Sequence, residues 1–391
     1  MTGTESWFSG CRQIGRLWLV CIASALPFTA QAQGSCQPLT DTSVILSVVS
    51  EQFFDRRFNG LSWNAEVAQT VESVDCDESP AQVSARINAL LSKLGASHTF
   101  VYSTEDIEYW AFNAQNSFDS VDAYPLPFPG IWVRREGEQW FVSAVLDGSE
   151  ASAAGVQAGD RLIQLNSQEF SPTAFVAGEN RLQISADGSS TRELTLNVTE
   201  QGVMRALIDA SAASARIISA GNAQVGYYRI WAGRDAIQRD FQSTLDEFYD
   251  AKVDALIVDL RGGLGAIGID YLAPVRFYQV RHKVPIHFLI DESVFGGKEL
   301  VASTARSDGL ATLVGTTTAG EHRPARITRV LGGRYFLSVA TGSFPAPDAG
   351  VIEGVGVEPD MEVESCRQYC NGRDPVLEAS LQALAAELPA D

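Results

Sequence analysis

The chain has 391 residues, 45% of them hydrophobic and 33 of them Gly, enough to bury a sizeable core and to hold more than one domain. Its 48 Asp and Glu against 29 Lys and Arg give a formal net charge of −19 with no local basic stripe, which excludes nucleic acid as a default partner. Lysine occurs only at Lys93, Lys252, Lys283 and Lys298, so few residues are available as a lysine base.

Arg12 and Arg16 precede an apolar run from Leu17 to Leu26, and Ala30-Gln31-Ala32 then supplies the small residues of a signal-peptidase site. Residues 1–32 read as a secretory signal, and the protein as periplasmic or secreted. The run is shorter than the roughly 20 residues of a bilayer span and no later stretch reaches that length, so no membrane span is expected. Cys11 and Cys21 fall within the signal, leaving Cys36, Cys76, Cys366 and Cys370, an even number suited to two disulfides in an oxidising compartment. Three pairings are possible, and loop closure favours the local ones, Cys36 with Cys76 and Cys366 with Cys370. No His stands at ligand spacing from these cysteines, so no metal is expected.

From Thr40 to about Tyr109 apolar residues recur at helical spacing, as in Val44, Val48, Val49 and Phe53 and again in Ile87, Leu90, Leu91 and Leu94. A β-rich run, Trp140–Leu146, leads through a short Ala-rich helix at 150–154 to a strand at Arg161–Leu165, which suggests a small β-rich module. After Asn222 the pattern alternates: strands at Val225–Ile230, Ala255–Leu260, Ile286–Ile290 and Ala311–Val314, with helices between them, including Ala236–Asp250 and Lys298–Ser307. Such alternation argues an α/β core. Asp374-Pro375 opens a closing amphipathic helix through Leu377, Leu381, Leu384 and Leu388.

Within the core, Gly263-Leu-Gly265-Ala-Ile-Gly268 mimics a dinucleotide fingerprint. Arg261 and Gly262 separate it from the strand, Pro274 is expected to interrupt the helix that follows, and no Gly-x-x-x-x-Gly-Lys stretch exists, so no cofactor is expected.

Four blocks in order carry a resemblance: Leu94-Gly95-Ala96-Ser97-His98-Thr99; Gly130-Ile131-Trp132 through Ala154–Arg161; Leu256–Gly263; and Glu353–Asp360. Together they resemble the C-terminal processing (tail-specific) serine proteases, including the tricorn-type branch. The resemblance implies an α/β (α+β mosaic) fold with a helical region at 33–120, a PDZ domain at 125–200, a crotonase-like α/β core at 215–365 and a helical tail at 366–391. It also implies that the loop Phe128-Pro129-Gly130-Ile131, with Trp132, is a carboxylate-binding turn for peptide C-termini. A module that merely packs on the core as a lid, with Trp132 buried, is the alternative.

Departures from the family pattern decide the functional expectation. The register Asp291–Glu299 puts Gly296 where the family has its nucleophilic serine, three residues before an acidic residue that opens a helix, and Glu321 stands at the position of the usual lysine base. Glycine has no oxygen to attack a carbonyl, and a carboxylate does not replace a neutral amine in such a dyad. Ser97, His98 and Glu353 match the orienters and base of the tricorn-type branch, although His98 also reads as a hydrogen-bonded core histidine. Gly265 and Gly297 match the oxyanion positions, with Ala266 in place of a usual glycine. Ser293 lies about 10 Å upstream of Gly296 in an extended segment and is a poor substitute nucleophile. Lys298 is a candidate base, but at a helix start it reads better as a solvated lysine, and His282, His287 and His322 read as surface or packing residues. The sequence therefore favours a catalytically silent homologue that binds peptide or protein C-termini or a partner enzyme, over an active serine-type peptidase with a shifted or tricorn-type site.

Overall fold

The computed structural model describes residues 36–116, 120–342 and 352–388, so the signal-peptide reading lies outside the described residues. Among these residues no helix is long and apolar enough to cross a membrane.

Three helices, Gln37–Gln52, Trp63–Glu72 and Pro80–Leu91, open the chain. Ser79 caps the third in a reciprocal capping box with Gln82, and Pro80 occupies its first turn. Their apolar stripes, among them Ile45, Val49, Ile87 and Leu91, meet Val101, Tyr335, Leu337 and Val339 in one buried cluster. The strand Phe100–Ser103 pairs antiparallel with Tyr335–Ala340, which pairs in turn with Ala325–Val330. A hairpin from the far end of the sequence thus completes the core of the helical region.

Next comes an antiparallel sheet of Ile131–Glu136, Gln139–Val145, Arg161–Leu165, Gly178–Ser185 and Arg192–Val198, with the short helix Glu150–Ala153 beside it. This β-rich module has a core of its own, built on Val142, Val156, Leu165, Leu182 and Ile184.

The main sheet has six strands in the order Arg216–Ala220, Ala223–Arg229, Ala255–Asp259, Ile286–Ile290, Thr312–Gly315 and Met361–Glu362, parallel except for the first pair. Ala255–Asp259 and Ile286–Ile290 are buried at every residue, as parallel strands covered on both faces must be. Leu256 and Val258 face one cluster, packed by helices that include Asp235–Ala251 and Gly297–Ser307. Ala255 and Ile257 face the other, closed by Val376 and Leu384 of the helix Pro375–Glu387. The segment read as a tail is therefore the second covering layer of the core. Pro274 does not interrupt a helix as expected: it sits in the first turn of Leu272–His282, where a missing N–H breaks no bond.

A buried ion-pair network anchors that last helix. Asp259, fully buried, accepts from Arg261 Nε at 2.9 Å, Arg261 Nη2 at 2.7 Å and the Tyr227 hydroxyl at 2.8 Å. Arg261 also reaches Asp374 at 2.9 and 2.7 Å, and Asp374 caps the helix by accepting from Leu377 N at 3.1 Å. Burial pushes the Asp259 carboxyl up, but Arg261 and Arg229 outweigh it and hold its pKa below the ordinary carboxylate range.

Both local disulfides are present, Cys36–Cys76 and Cys366–Cys370, with Cα–Cα distances of 5.6 and 5.7 Å. In the chain from residue 33 onward, alkylation followed by intact mass should show no adduct before reduction and four after it; a persistent free thiol would refute the pairing. Arg261→Ala should destabilise by about 3–5 kcal/mol near neutral pH, because it leaves the buried Asp259 with only the more distant Arg229, at 4.0 Å, and the Tyr227 hydroxyl. The depressed Asp259 pKa means its stabilisation is present above the unfolded value and is lost in acid. The gap between wild type and variant in urea titrations should accordingly shrink toward pH 3, and a gap that stays constant with pH would count against this account.

Candidate active site

The site forms where the strand Ile286–Ile290 turns into the helix Gly297–Ser307. Gly296 stands at the corner with φ 62° and ψ −128°, a conformation that is strained for residues with a side chain. Glu299, fully buried, holds the corner: its carboxylate accepts from Gly296 N at 3.2 Å, Gly320 N at 2.6 Å, Glu321 N at 2.9 Å and Thr318 Oγ1 at 2.6 Å. The acidic residue three positions after Gly296 therefore binds the corner to the turn that carries Glu321.

His98 reaches the same corner from the other side, just ahead of the strand Phe100–Ser103. Its backbone takes a left-handed φ of 53°, held by the Ser338 hydroxyl, which donates to the His98 carbonyl at 2.7 Å. Nδ1 lies 2.7 Å from the Arg323 carbonyl, which can only accept, so Nδ1 carries the proton. Nε2 then faces Gly296, 3.7 Å from where a Cβ at that position would stand. A serine hydroxyl there would fall within hydrogen-bond reach, about 2.6–3.2 Å, of an oriented base. The Ser97 hydroxyl donates to Glu353 at 2.7 Å and accepts from Arg323 N at 3.3 Å, while Arg323 Nε donates to Glu353 at 2.8 Å. Ser97 and Glu353 orient His98 through the Arg323 backbone, whose N–H bonds Ser97 and whose carbonyl bonds His98.

Ser97, His98, Gly296, Glu321 and Glu353 are thus brought together. Gly297 begins the helix and Gly265 abuts it, but Gly265 turns its carbonyl oxygen to this corner, 3.5 Å from the virtual Gly296 Cβ, where it accepts from Lys298 N at 3.2 Å and Ile267 N at 2.9 Å. An oxyanion would meet an acceptor on that side, which departs from the expected arrangement. Ser293 is tied elsewhere: it donates to Asp291 and accepts from Gly262 N at 2.6 Å. The reading of Lys298 as a solvated lysine is corrected. It is fully buried, its Nζ donates to the carbonyls of Leu260 at 2.9 Å and Gly262 at 2.6 Å, and burial with the neighbouring Arg229 pulls its pKa down to about 7. Position at a helix start concealed this, because the long stem runs inward under the loop after Ala255–Asp259.

Two lobes of one cleft meet at His98 and Phe295. The smaller, of about 340 Å³, is apolar, with Ile327 and Phe336 near Gly296; the larger, of about 520 Å³, is lined by Trp132, Tyr102, Glu108 and Glu321 as well. Trp132 is half-buried and forms a wall of the larger lobe, but Gly130 and Ile131 are buried. The turn they form packs on the module and the core: Ala151 N donates to the Pro129 carbonyl at 3.1 Å and Leu146 N to the Gly130 carbonyl at 2.8 Å, while Phe128 sits in the main core cluster. The turn expected at Gly130–Trp132 thus packs between the module and the core, with Trp132 alone of the three lining the cleft. Of the other histidines, His287 is buried with Nδ1 2.9 Å from Ser380 Oγ, His282 stacks on Tyr278, and His322 donates its backbone N–H to Glu353 at 2.8 Å.

An oriented histidine facing a strained strand-to-helix corner, on a parallel sheet, is the frame of a serine-peptidase-like site. Residues 266–363 match the family described as Peptidase family S41. The chain is 23% identical over 393 residues to a chloroplastic carboxyl-terminal-processing peptidase 3 of Arabidopsis thaliana, covering 87% of this chain and 73% of that protein. It is 23% identical over 291 residues to a carboxy-terminal-processing protease of Bartonella bacilliformis, covering 64% of this chain and 65% of that one. The solved photosystem II D1 C-terminal processing protease shares the fold, with a TM-score of 0.53 at 17% identity over 90% of this chain and 98% of that one. The family model, the relatives and the fold thus all liken this chain to the C-terminal processing proteases.

Sequence reasoning missed Arg323, whose backbone links Ser97 to His98, and Glu108, which lies in the larger lobe; neither carries a motif. It also missed the burial of Lys298, which yields a pH test. The folded pKa near 7 lies below the unfolded value of about 10.4, so the unfolded chain binds the extra proton between them. Wild-type stability relative to Lys298→Met should therefore rise as pH increases from about 7 to about 10. Urea midpoints that track each other across this range would refute a buried, depressed lysine.

Proposed function

We propose that this protein is an exported, catalytically silent relative of the C-terminal processing peptidases, which holds C-terminal segments of polypeptides in the His98 cleft without cutting them. One observation carries the reading: at the corner that His98 Nε2 faces, residue 296 is a glycine and offers no nucleophile. The relatives' carboxyl-terminal processing supports polypeptide ends as the ligand class, and the two disulfides support an oxidising compartment. The orientation of His98 favours a second reading, tricorn-type hydrolysis, but that route needs an oxygen nucleophile which neither Gly296 nor the tethered Ser293 supplies.

A fluorophosphonate probe separates the two. The wild-type protein should remain unlabelled and leave an unfolded polypeptide intact. Gly296→Ser should gain label at residue 296, and His98→Ala added to it should remove that label. The strained φ makes Gly296→Ser less stable by about 1–3 kcal/mol, so its melting curve is recorded alongside. Labelling of a serine in the wild type, with cleavage that Ser293→Ala abolishes, would overturn the silent reading. Equal affinity for peptides with free and amidated C-termini would remove the terminus, though not the peptide, from the proposal.

A further inference from the structure

The larger lobe of the cleft has a chemistry that the loss of a nucleophile does not explain. Glu108, in the first turn of the helix Ile107–Asn116, and Glu321, in the turn held by Glu299, both line it. Both are half-buried, and both have pKa values raised first by burial, with Asp106 adding to the effect at Glu108. At Glu321, His98 opposes the rise while Glu299 and Glu353 add to it. Other acids around the site are satisfied: Glu353 has Arg323, the Ser97 hydroxyl and two backbone N–H groups, and Glu299 has four donors. Among the described residues the carboxyls of Glu108 and Glu321 have no ion pair with Lys, Arg or His and take no hydrogen bond from another residue; the one backbone donor at Glu108 is its own N–H.

The other walls are aromatic. Phe100, Tyr102 and Phe112 pack ring on ring, with centroids 5.0–5.8 Å apart, and Trp132 and Phe295 line the same space. Two desolvated, unpaired carboxyls among aromatic faces make an environment unfavourable to anions and deficient in positive charge. A bare metal ion is a poor complement, because no group of three His, Cys, Asp or Glu that could hold one exists among the described residues and the rings offer no ligand atoms. A side chain with an apolar stem and a cationic head matches both wall types, its methylenes against the rings and its charge between the carboxyls.

We propose that the larger lobe receives a basic side chain, lysine or arginine, of a bound polypeptide, with Glu108 and Glu321 as its charge partners and the Phe100–Phe112 faces against its stem. This rests on the reading that the cleft takes polypeptide, and it specifies which segment is chosen. The site occupies about 520 Å³, ample for either side chain together with water.

The test uses the full disulfide-bonded chain and a series of fluorescein-labelled decapeptides, identical except for one position scanned as Lys, Arg, norleucine or Glu, with affinity read by anisotropy. At one position, Lys and Arg peptides should bind about tenfold or more tightly than the norleucine peptide, which keeps the stem and drops the charge, and the Glu peptide should bind most weakly. Glu108→Gln and Glu321→Gln should each reduce the Lys-to-norleucine ratio severalfold, and Glu108→Lys should reverse the preference toward Glu; melting curves verify that each variant is folded. Equal affinity for Lys and norleucine peptides at every position would overturn the cation lobe while leaving peptide capture standing. Failure of every peptide to bind would overturn peptide capture and the lobe assignment with it.

Discussion

The buried carboxylate of Glu299 is the constraint on which the site depends. One side chain gathers donors from Gly296, Thr318, Gly320 and Glu321, so the strand-to-helix corner and the following turn cannot move independently. Thr318 extends the network by accepting from Val357 N at 2.8 Å, which fixes the segment after Glu353. Such an arrangement satisfies a buried carboxyl with hydrogen bonds alone, two donors to each oxygen, and removing one would leave a desolvated lone pair unmet. The corner at Gly296 therefore keeps its strained geometry through interactions outside itself.

The opposite face of the site is fixed by β pairing. Strands Phe100–Ser103, Tyr335–Ala340 and Ala325–Val330 share one small sheet, so His98 and Arg323, each just ahead of an outer strand, arrive at the same edge. The Arg323 peptide then sets the histidine tautomer, and the ion pair of its side chain with Glu353 sets the peptide. The resulting geometry orients a base with no side-chain oxygen opposite it. Orientation by second partners and possession of a nucleophile are separable properties, and at this corner the first is present while residue 296 is a glycine.

Much of this was legible in the sequence wherever the signal is local or periodic. The alternation after Asn222 located the parallel strands within about a residue at most ends, Asp374-Pro375 marked the start of the last helix, and the four-residue spacing of Cys366 and Cys370 pointed to their pairing. The acidic residue three after Gly296 was visible too, as a register. What could not be read depends on which elements meet. Lys298 occupies a helix start, ordinarily a solvated place, yet its stem passes beneath a loop about 36 residues earlier in the chain. Gly130 reads as a binding turn, and the sequence does not reveal that a Cβ there would lie 2.3 Å from Ser149 Cβ, because the turn runs close against the start of the short helix of its own module. Arg323 and Glu108 lack motifs: the hairpin that closes the helical core brings Arg323 to His98, and the helix Ile107–Asn116 places Glu108 in the same lobe.

The composition and the cleft make sense together in electrostatic terms. A chain with a formal charge of −19 repels acidic polypeptides at distances comparable to the Debye length, about 8–10 Å in physiological salt, and draws basic segments toward it. At the surface that attraction is unspecific and easily screened. Inside the larger lobe, Glu108 and Glu321 are partly removed from water, so screening is weaker and the same sign of charge acts at contact range. The adjoining apolar lobe beside Gly296, with Ile327 and Phe336, has no such charge and suits an uncharged neighbour on the same strand of ligand. On the proposed reading, long-range attraction would set how often a basic segment arrives, whereas the two lobes, one acidic and aromatic and one apolar, would set the register in which it is held.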